Sequence, residues 1–178
     1  MDKNYWKNAY SNTWKESSER ELYLARWIKE NTGFDVETVG LGAGTSDYIS
    51  GSARENGYEK GSADLHVTGT NIYIEVTGPL STKVPVDTPL WFRPDKILSA
   101  IKKMQRGQVI IFAHHCPSED LWRIINIDEN LAQRFRNYKL PVVNPIIRGR
   151  KERYIEISCD DECIQNLNYL KNFIKNNY

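Results

Sequence analysis

Residues 63–77 read ADLHVTGTNIYIEVT, and this stretch decides the fold. Two runs rich in apolar and β-branched residues, 63–68 and 71–77, flank the turn-forming pair Gly69-Thr70. This pattern predicts two antiparallel strands joined as a hairpin. Each predicted strand holds one carboxylate inside its apolar run, Asp64 in the first strand and Glu75 in the second.

The two carboxylates of this hairpin need a physical reason to be there. A carboxylate in an apolar strand is costly unless it is paired, hydrogen-bonded or bound to a cation. A hairpin can bring Asp64 and Glu75 side by side, where their charges repel and a hard cation such as Mg²⁺ relieves the repulsion. Alternatively, Asp64 caps the start of its strand and Glu75 lies on a solvated face. The two residues alone leave both interpretations open.

The composition bounds the class of protein. The chain has 178 residues, with 24 basic and 23 acidic side chains, so it lacks the strongly basic balance of many nucleic-acid-binding domains. No run approaches the roughly 18 apolar residues of a membrane span, and residues 1–15 do not resemble a signal peptide. The three cysteines form no paired framework, so we expect a cytoplasmic, intracellular protein without a membrane partner.

The predicted elements describe one α/β domain over residues 1–178, a mixed sheet with helices on its faces. The capping-box pattern at 18–21 opens a helix that ends near Gly33. The other predicted elements are a strand at 34–39, a Gly/Ser-rich long loop or irregular hairpin at 40–61, the hairpin at 63–77, an irregular segment at 80–92, a helix at 95–106, strands at 108–114, 121–127 and 153–158, and a C-terminal amphipathic helix after Asp160 and Asp161.

Four short segments occur in an order found in a known family. They are EREL at 19–22, GFDV at 33–36, ADLHV at 63–67 and IEV at 74–76. In these segments, residues 17–128 resemble the archaeal-type Holliday junction resolvases of the PD-(D/E)XK nuclease superfamily. The resemblance implies a restriction-endonuclease-like mixed central sheet flanked by helices. Residues 129–178 lie outside it and form a C-terminal strand-helix extension.

The resemblance also implies a metal site. It assigns Glu19, Asp64 and Glu75 as catalytic carboxylates that bind Mg²⁺ or Mn²⁺. The superfamily has a lysine two residues after the second carboxylate, where this chain has Thr77. Thr77 is therefore the fourth predicted catalytic residue, and it can at most position the attacking water through a hydrogen bond, because it carries no charge.

A displaced lysine can take over this role. The candidates are Lys83, six residues after Thr77, and Lys96, at the start of the next predicted helix. The alternative for both is an ordinary solvated lysine.

Six residues, Lys96 among them, are candidates for contact with DNA. Glycines in the 40–46 loop can approach a phosphate through their backbone N–H groups, and the helix at 95–106 carries a basic stripe. A flexible loop and a solvated helix face are the alternatives. The predicted nucleic-acid-binding residues are Gly42, Gly44, Ser46, Arg93, Lys96 and Lys103.

Two other patterns carry weaker predictions. His114-His115-Cys116 and Cys159-x₃-Cys163 have ligand types and spacing found in zinc sites, although free thiols explain the cysteines as well. The apolar stripe of the last helix can pack on the core or form a dimer. Because the resolvases are dimers, the resemblance implies a homodimer.

These patterns favour one function and leave two alternatives. The chain resembles a divalent-metal-dependent DNA endonuclease or resolvase that hydrolyses phosphodiester bonds, and the resemblance to junction resolvases extends the expected substrates to branched DNA. The substitution of Thr77 for lysine and the near-zero net charge favour the first alternative, an inactive nuclease fold that binds DNA or protein. The second alternative is an enzyme that acts on a nucleotide or RNA, because metal-assisted phosphodiester chemistry does not specify the polymer.

Overall fold

The computed structural model describes residues 3–40, 63–147 and 149–178, with side chains from residue 13 onward except that of Arg150. Gly42, Gly44 and Ser46 lie outside the described residues. The helices are α1 (Lys3–Thr32), α2 (Pro94–Met104), α3 (Glu129–Arg136) and α4 (Leu167–Asn177). The strands are β1 (Val36–Thr38), β2 (Leu65–Val67), β3 (Ile72–Thr77), β4 (Leu90–Phe92), β5 (Val109–Cys116), β6 (Leu121–Asn126), β7 (Val142–Val143), β8 (Ile146–Ile147), β9 (Arg150–Lys151), β10 (Tyr154–Ile157) and β11 (Ile164–Gln165).

Among the described residues, six strands form a central sheet in the order β1-β2-β3-β5-β6-β11. Strands β2 and β3 are the predicted antiparallel hairpin, with Leu65 opposite Ile74. Strand β3 runs parallel to β5, whereas the other neighbours in this sheet are antiparallel. The mixed central sheet flanked by helices confirms the predicted α/β fold class.

Two apolar clusters cover the two faces of the central sheet. On one face, Leu24 and Ile28 of α1 pack with Leu170 and Ile174 of α4 against the sheet. On the other face, α2 and α3 pack together with a smaller sheet of order β4-β10-β7. The apolar stripe of α4 is therefore part of the core. No helix in the described part of the chain is long and apolar enough to cross a membrane.

Several predicted boundaries are wrong, and the reasons are physical. Helix α1 begins at Lys3, so Ser18 lies inside the helix and is not its N-cap. The segment predicted to be irregular contains β4, which pairs with the distant β10. Helix α3 was not predicted, and the Asp128 side chain caps it by accepting a hydrogen bond from the backbone N–H of Leu131. Ile164 belongs to β11, so the last helix begins only at Leu167.

Candidate active site

Asp64 and Glu75 lie together at the hairpin, as their spacing predicts. Asp64 directly precedes β2, and its Oδ2 atom accepts a hydrogen bond of 2.8 Å from the backbone N–H of Val76. Its own backbone N–H donates to the carbonyl oxygen of Ile74 at 3.0 Å. Both bonds fix the Asp64 carboxylate next to the part of β3 that carries Glu75.

The surroundings of Asp64 disfavour its negative charge. Burial is the main cause that raises the pKa of Asp64 well above its ordinary value, and the charges of Glu75 and Glu21 raise it further. Lys96 and the hydrogen bond from Val76 act in the opposite direction without cancelling the rise. The site therefore holds more negative charge than its own groups neutralise, which suits a bound cation.

Lys96 of α2 supplies the positive charge that Thr77 lacks. Its Nζ atom lies 2.6 Å from Oε1 of Glu75, whose side chain is only 14% exposed. Burial lowers the pKa of Lys96, but the attraction of Glu75 and the hydrogen bond to it outweigh burial, so the pKa is raised overall. The ammonium group is therefore charged at neutral pH. Lys83, the other predicted candidate, is exposed on the segment between β3 and β4.

The predicted third carboxylate, Glu19, does not reach the pair. Its side chain is 66% exposed, and Oε1 lies 3.9 Å from Nζ of Lys15 on the same helix. Glu21 instead is 4% exposed, and its charge acts on Asp64. The structure thus places Glu21, and not Glu19, beside the acidic pair.

Helix periodicity explains this difference. Glu21, Leu24 and Ile28 are spaced i, i+3 and i+7, so they share the face of α1 that packs on the sheet. Glu19 is two residues earlier, about 200° around the helix, and points toward solvent. This spacing was visible in the sequence and could have identified Glu21.

Arg20 fixes the end of β3, where Thr77 lies. Its guanidinium group donates hydrogen bonds to the carbonyl oxygens of Thr77, Gly78 and Pro79 at 3.3, 3.2 and 2.7 Å. Thr77 shares the sheet face of Glu75, because side chains two residues apart in a strand point the same way. The end of β3 is therefore held by the residue that precedes Glu21 on α1.

The basic residues predicted on α2 have different surroundings. Lys96 and Lys103 line a small pocket together with Glu75. Arg93 is exposed and forms two hydrogen bonds with the carboxylate of Asp95, at 3.1 and 3.0 Å. Lys96 and Lys103 thus lie on the flank of α2 next to Glu75, with which Lys96 forms an ion pair, whereas Arg93 is paired with Asp95.

The described residues contain no zinc site and no cluster of three His, Cys, Asp or Glu side chains that could hold a metal ion. His114 packs edge-on against Phe92 with ring centres 6.3 Å apart, and burial, with Arg123 and Arg20, lowers its pKa to about 4. Cys159 and Cys163 are free thiols. These residues serve the packing of the fold.

The donor set at the hairpin nevertheless fits a hard divalent cation. Mg²⁺ keeps several of its waters and binds proteins through one or two carboxylates together with phosphates of the substrate. Asp64 and Glu75 supply two carboxylates, and Glu21 adds a third negative charge nearby. Two protein ligands are therefore enough for such an ion.

The chain is similar to solved nuclease structures. No family model matches it, and no curated protein sequence is significantly similar. The structure of a Holliday junction resolvase of the archaeal hyperthermophile Archaeoglobus fulgidus is 14% identical, with 86% of this chain and 98% of that one covered and a TM-score of 0.48. A nuclease from a fusselovirus is 18% identical, with 87% and 84% covered and a TM-score of 0.47. At these identities the similarity is one of backbone arrangement.

Proposed function

We propose that this chain is a divalent-metal-dependent endonuclease that hydrolyses phosphodiester bonds in DNA at the site of Asp64 and Glu75. The observation that supports this most is the 2.6 Å contact between Lys96 Nζ and Glu75 Oε1. Through this contact, Lys96 places beside Asp64 and Glu75 the positive charge that a lysine at position 77 would have supplied. In the family that the sequence resembles, the lysine follows the second carboxylate by two residues, whereas here the lysine beside Glu75 comes from α2.

Each residue of the site has a proposed role. Asp64 and Glu75 hold Mg²⁺ or Mn²⁺, which when bound polarises the phosphate and lowers the pKa of a coordinated water. Lys96 donates hydrogen bonds to the attacking water and to the phosphate, and its charge offsets the charge that develops there. Glu21 is buried near Asp64 and adds negative charge that strengthens cation binding. The Thr77 hydroxyl contributes at most a hydrogen bond to water.

The substrate and the setting follow from the sequence resemblance and from composition. We propose DNA, including branched DNA, because residues 17–128 resemble junction resolvases, and a homodimer for the same reason. The site chemistry alone suits DNA and RNA equally. Three cysteines without disulfide bonds are consistent with the proposed cytoplasmic location.

Substitution of Lys96 by Met tests this proposal. We expect wild type to cut supercoiled plasmid with Mg²⁺ or Mn²⁺ and not in EDTA. Lys96→Met should lower the cleavage rate by about 10²-fold, the effect of removing one charge-stabilising donor. Lys83→Met is the matched control, because that lysine is exposed and outside the site. Circular dichroism should show that both variants are folded.

Other outcomes would decide against this function. If wild type cuts no plasmid, linear or four-way-junction DNA with either ion, the endonuclease proposal is wrong. Salt-dependent DNA binding without cutting would then favour an inactive DNA-binding module. The replacement of the usual lysine by Thr77 and the near-zero net charge are the observations in favour of that alternative.

Glu19 and Glu21 of α1 give a second prediction. Glu21→Gln should weaken activation by Mg²⁺ about tenfold, within the usual range for residues that support a metal ligand. Glu19→Gln should leave activation unchanged, because Glu19 is exposed and away from Asp64. Cleavage rates over a Mg²⁺ titration measure both effects. The reverse order of effects would contradict the assignment of Glu21.

A further inference from the structure

A cleft between α2 and the C-terminal extension is not part of the proposed active site. It has a volume of about 420 Å³, within the size range of small-molecule sites. Helix α2 contributes Pro94 and Leu98 to its lining, and the rest comes from the extension. The apolar lining residues of the extension are Phe135, Tyr138, Leu140, Val142 and Ile155. The cleft therefore offers an apolar surface to a small, flat group.

Tyr138 occupies a position in this cleft that does not favour a tyrosine for stability. It is 88% exposed, so it buries little apolar surface. It follows Asn137, the C-cap of α3, with a φ of 54°, in the left-handed region that glycine adopts without strain at helix ends. A strained, exposed aromatic residue at a cleft is typical of a binding site.

Arg153 gives the cleft a positive charge. Arg136, the other arginine that lines the cleft, forms an ion pair with Glu129 at 2.8 Å. Arg153 is exposed and forms no ion pair or hydrogen bond with the described residues. It also ends the segment RGRKER at 148–153, which has four basic residues and one acidic residue in a chain of net charge +1. This surface therefore suits an anionic ligand.

The cleft is on the flank of α2 opposite to the active site, because Pro94 is about 160° around the helix from Lys96. Pro94 and Arg153 also line a polar cleft at the N-terminus of α2. Arg93 and Asp95 there are exposed and paired with each other, so a strand can pass over this end of the helix. A helix with its side chains is about 10–12 Å wide, which corresponds to roughly three nucleotides of one strand.

We propose that this cleft binds an unpaired nucleotide, with its base stacked on Tyr138 and Leu98 and its phosphate bound by Arg153. This inference rests on the proposed function and specifies its substrate as nucleic acid with an unpaired segment near the cut. Stacking on an aromatic side chain needs no particular base, and a guanidinium group matches the geometry of a phosphate. A base inside a duplex is already stacked and paired, so it cannot enter the cleft.

Replacement of Tyr138 by Gly tests the stacking contact independently of cleavage. The probe is a fluorescein-labelled oligothymidine of about 12 nucleotides in EDTA, compared with a duplex of the same length. Tyr138→Gly should weaken single-strand binding about tenfold and leave duplex binding unchanged. Its melting temperature should not fall, because glycine adopts this φ without strain. Tyr178→Gly is the control, since Tyr178 is exposed at the end of α4, on the other face of the central sheet.

The salt dependence of binding tests the phosphate contact. Arg153→Met should reduce the slope of log K against log salt by about 0.7, the value for one phosphate of a single strand. Arg26→Met, a change of an exposed arginine on α1, should leave the slope unchanged.

Several outcomes would overturn the inference. They are no binding of oligothymidine by wild type at low salt, equal effects of Tyr138→Gly and Tyr178→Gly, an unchanged slope in Arg153→Met, and tighter binding of a labelled acidic peptide than of oligothymidine. If wild type binds oligothymidine through Tyr138 and Arg153 but cuts no DNA with Mg²⁺ or Mn²⁺, the proposed function fails while the nucleotide site stands.

Discussion

Replacement of Asp64 by Asn should lower metal-dependent DNA cleavage by at least about 10³-fold and at the same time make the metal-free protein more stable. Loss of a carboxylate ligand removes several kcal/mol of stabilisation by the ion, and about 4 kcal/mol corresponds to 10³ in rate. The stability gain arises because Asp64 is buried beside the negative charges of Glu75 and Glu21. Asn has the same shape and keeps an oxygen that can accept the hydrogen bond from Val76.

The size and pH dependence of the stability gain follow from the raised pKa of Asp64. Relief of strain at a functional site commonly adds about 1 kcal/mol, or about 2–4 °C in melting temperature for a chain of this size. Since the pKa is raised in the folded state, the folded chain binds more protons than the unfolded chain above about pH 4. The stability of metal-free wild type should therefore fall as pH rises through that range, and Asp64→Asn should remove this fall.

Thermal denaturation in EDTA from about pH 5 to pH 8, together with cleavage assays, measures both effects. Asp87→Asn is a suitable control, because Asp87 is exposed on the segment between β3 and β4. Addition of Mg²⁺ should stabilise wild type and have little effect on Asp64→Asn. A variant that keeps its cleavage activity would exclude Asp64 as a ligand. A variant that loses activity without gaining stability would contradict the charge repulsion.

The parts of the site that the sequence predicted are those set by local structure. Only four residues, 68–71, connect β2 to β3, so the approach of Asp64 and Glu75 could be predicted from residues 63–77 alone, although the turn is two residues longer than the sequence predicted. Lys96 was one of two candidates, and a sequence pattern cannot choose between them. The choice depends on how α2 packs over the sheet, which the contact of 2.6 Å with Glu75 records.

The errors lie where distant segments decide the structure. Strand β4 exists because it pairs with β10, and β11 exists because it pairs with β6. Neither pairing has a local signal, since both short strands depend on partners far along the chain.

The assignment of Glu19 is a different kind of error. It followed the sequence resemblance, whereas helix periodicity with Leu24 and Ile28 places Glu21 on the buried face.

Gly78→Ala should destabilise the protein more than most single substitutions, by about 3–5 kcal/mol. Gly78 follows β3 with a φ of 122°, a region that L-amino acids with a side chain rarely adopt. A Cβ atom there would lie 2.2 Å from the carbonyl oxygen of His115 and 3.0 Å from its backbone nitrogen. Because these are backbone atoms of β5, the clash cannot be relieved by a side-chain rotation.

Gly69→Ala separates the two causes of this loss. Gly69 also has a positive φ, 80°, but a Cβ atom there would meet nothing within 4 Å. It should therefore show only the conformational cost, about 1 kcal/mol. Urea denaturation of both variants measures the difference. Equal losses in the two variants would show that backbone conformation, and not the contact with His115, sets the cost at Gly78.

A second consequence of Gly78→Ala connects this turn to the active site. The carbonyl oxygens of Thr77, Gly78 and Pro79 accept the hydrogen bonds of Arg20, which precedes Glu21 on α1. A shift of this turn should therefore displace β3 relative to α1, and with them Glu75 and Glu21. We expect the variant to need more Mg²⁺ for half-maximal cleavage even at temperatures where it is fully folded. A variant that is destabilised but has an unchanged Mg²⁺ requirement would show that the turn supports the fold without positioning the carboxylates.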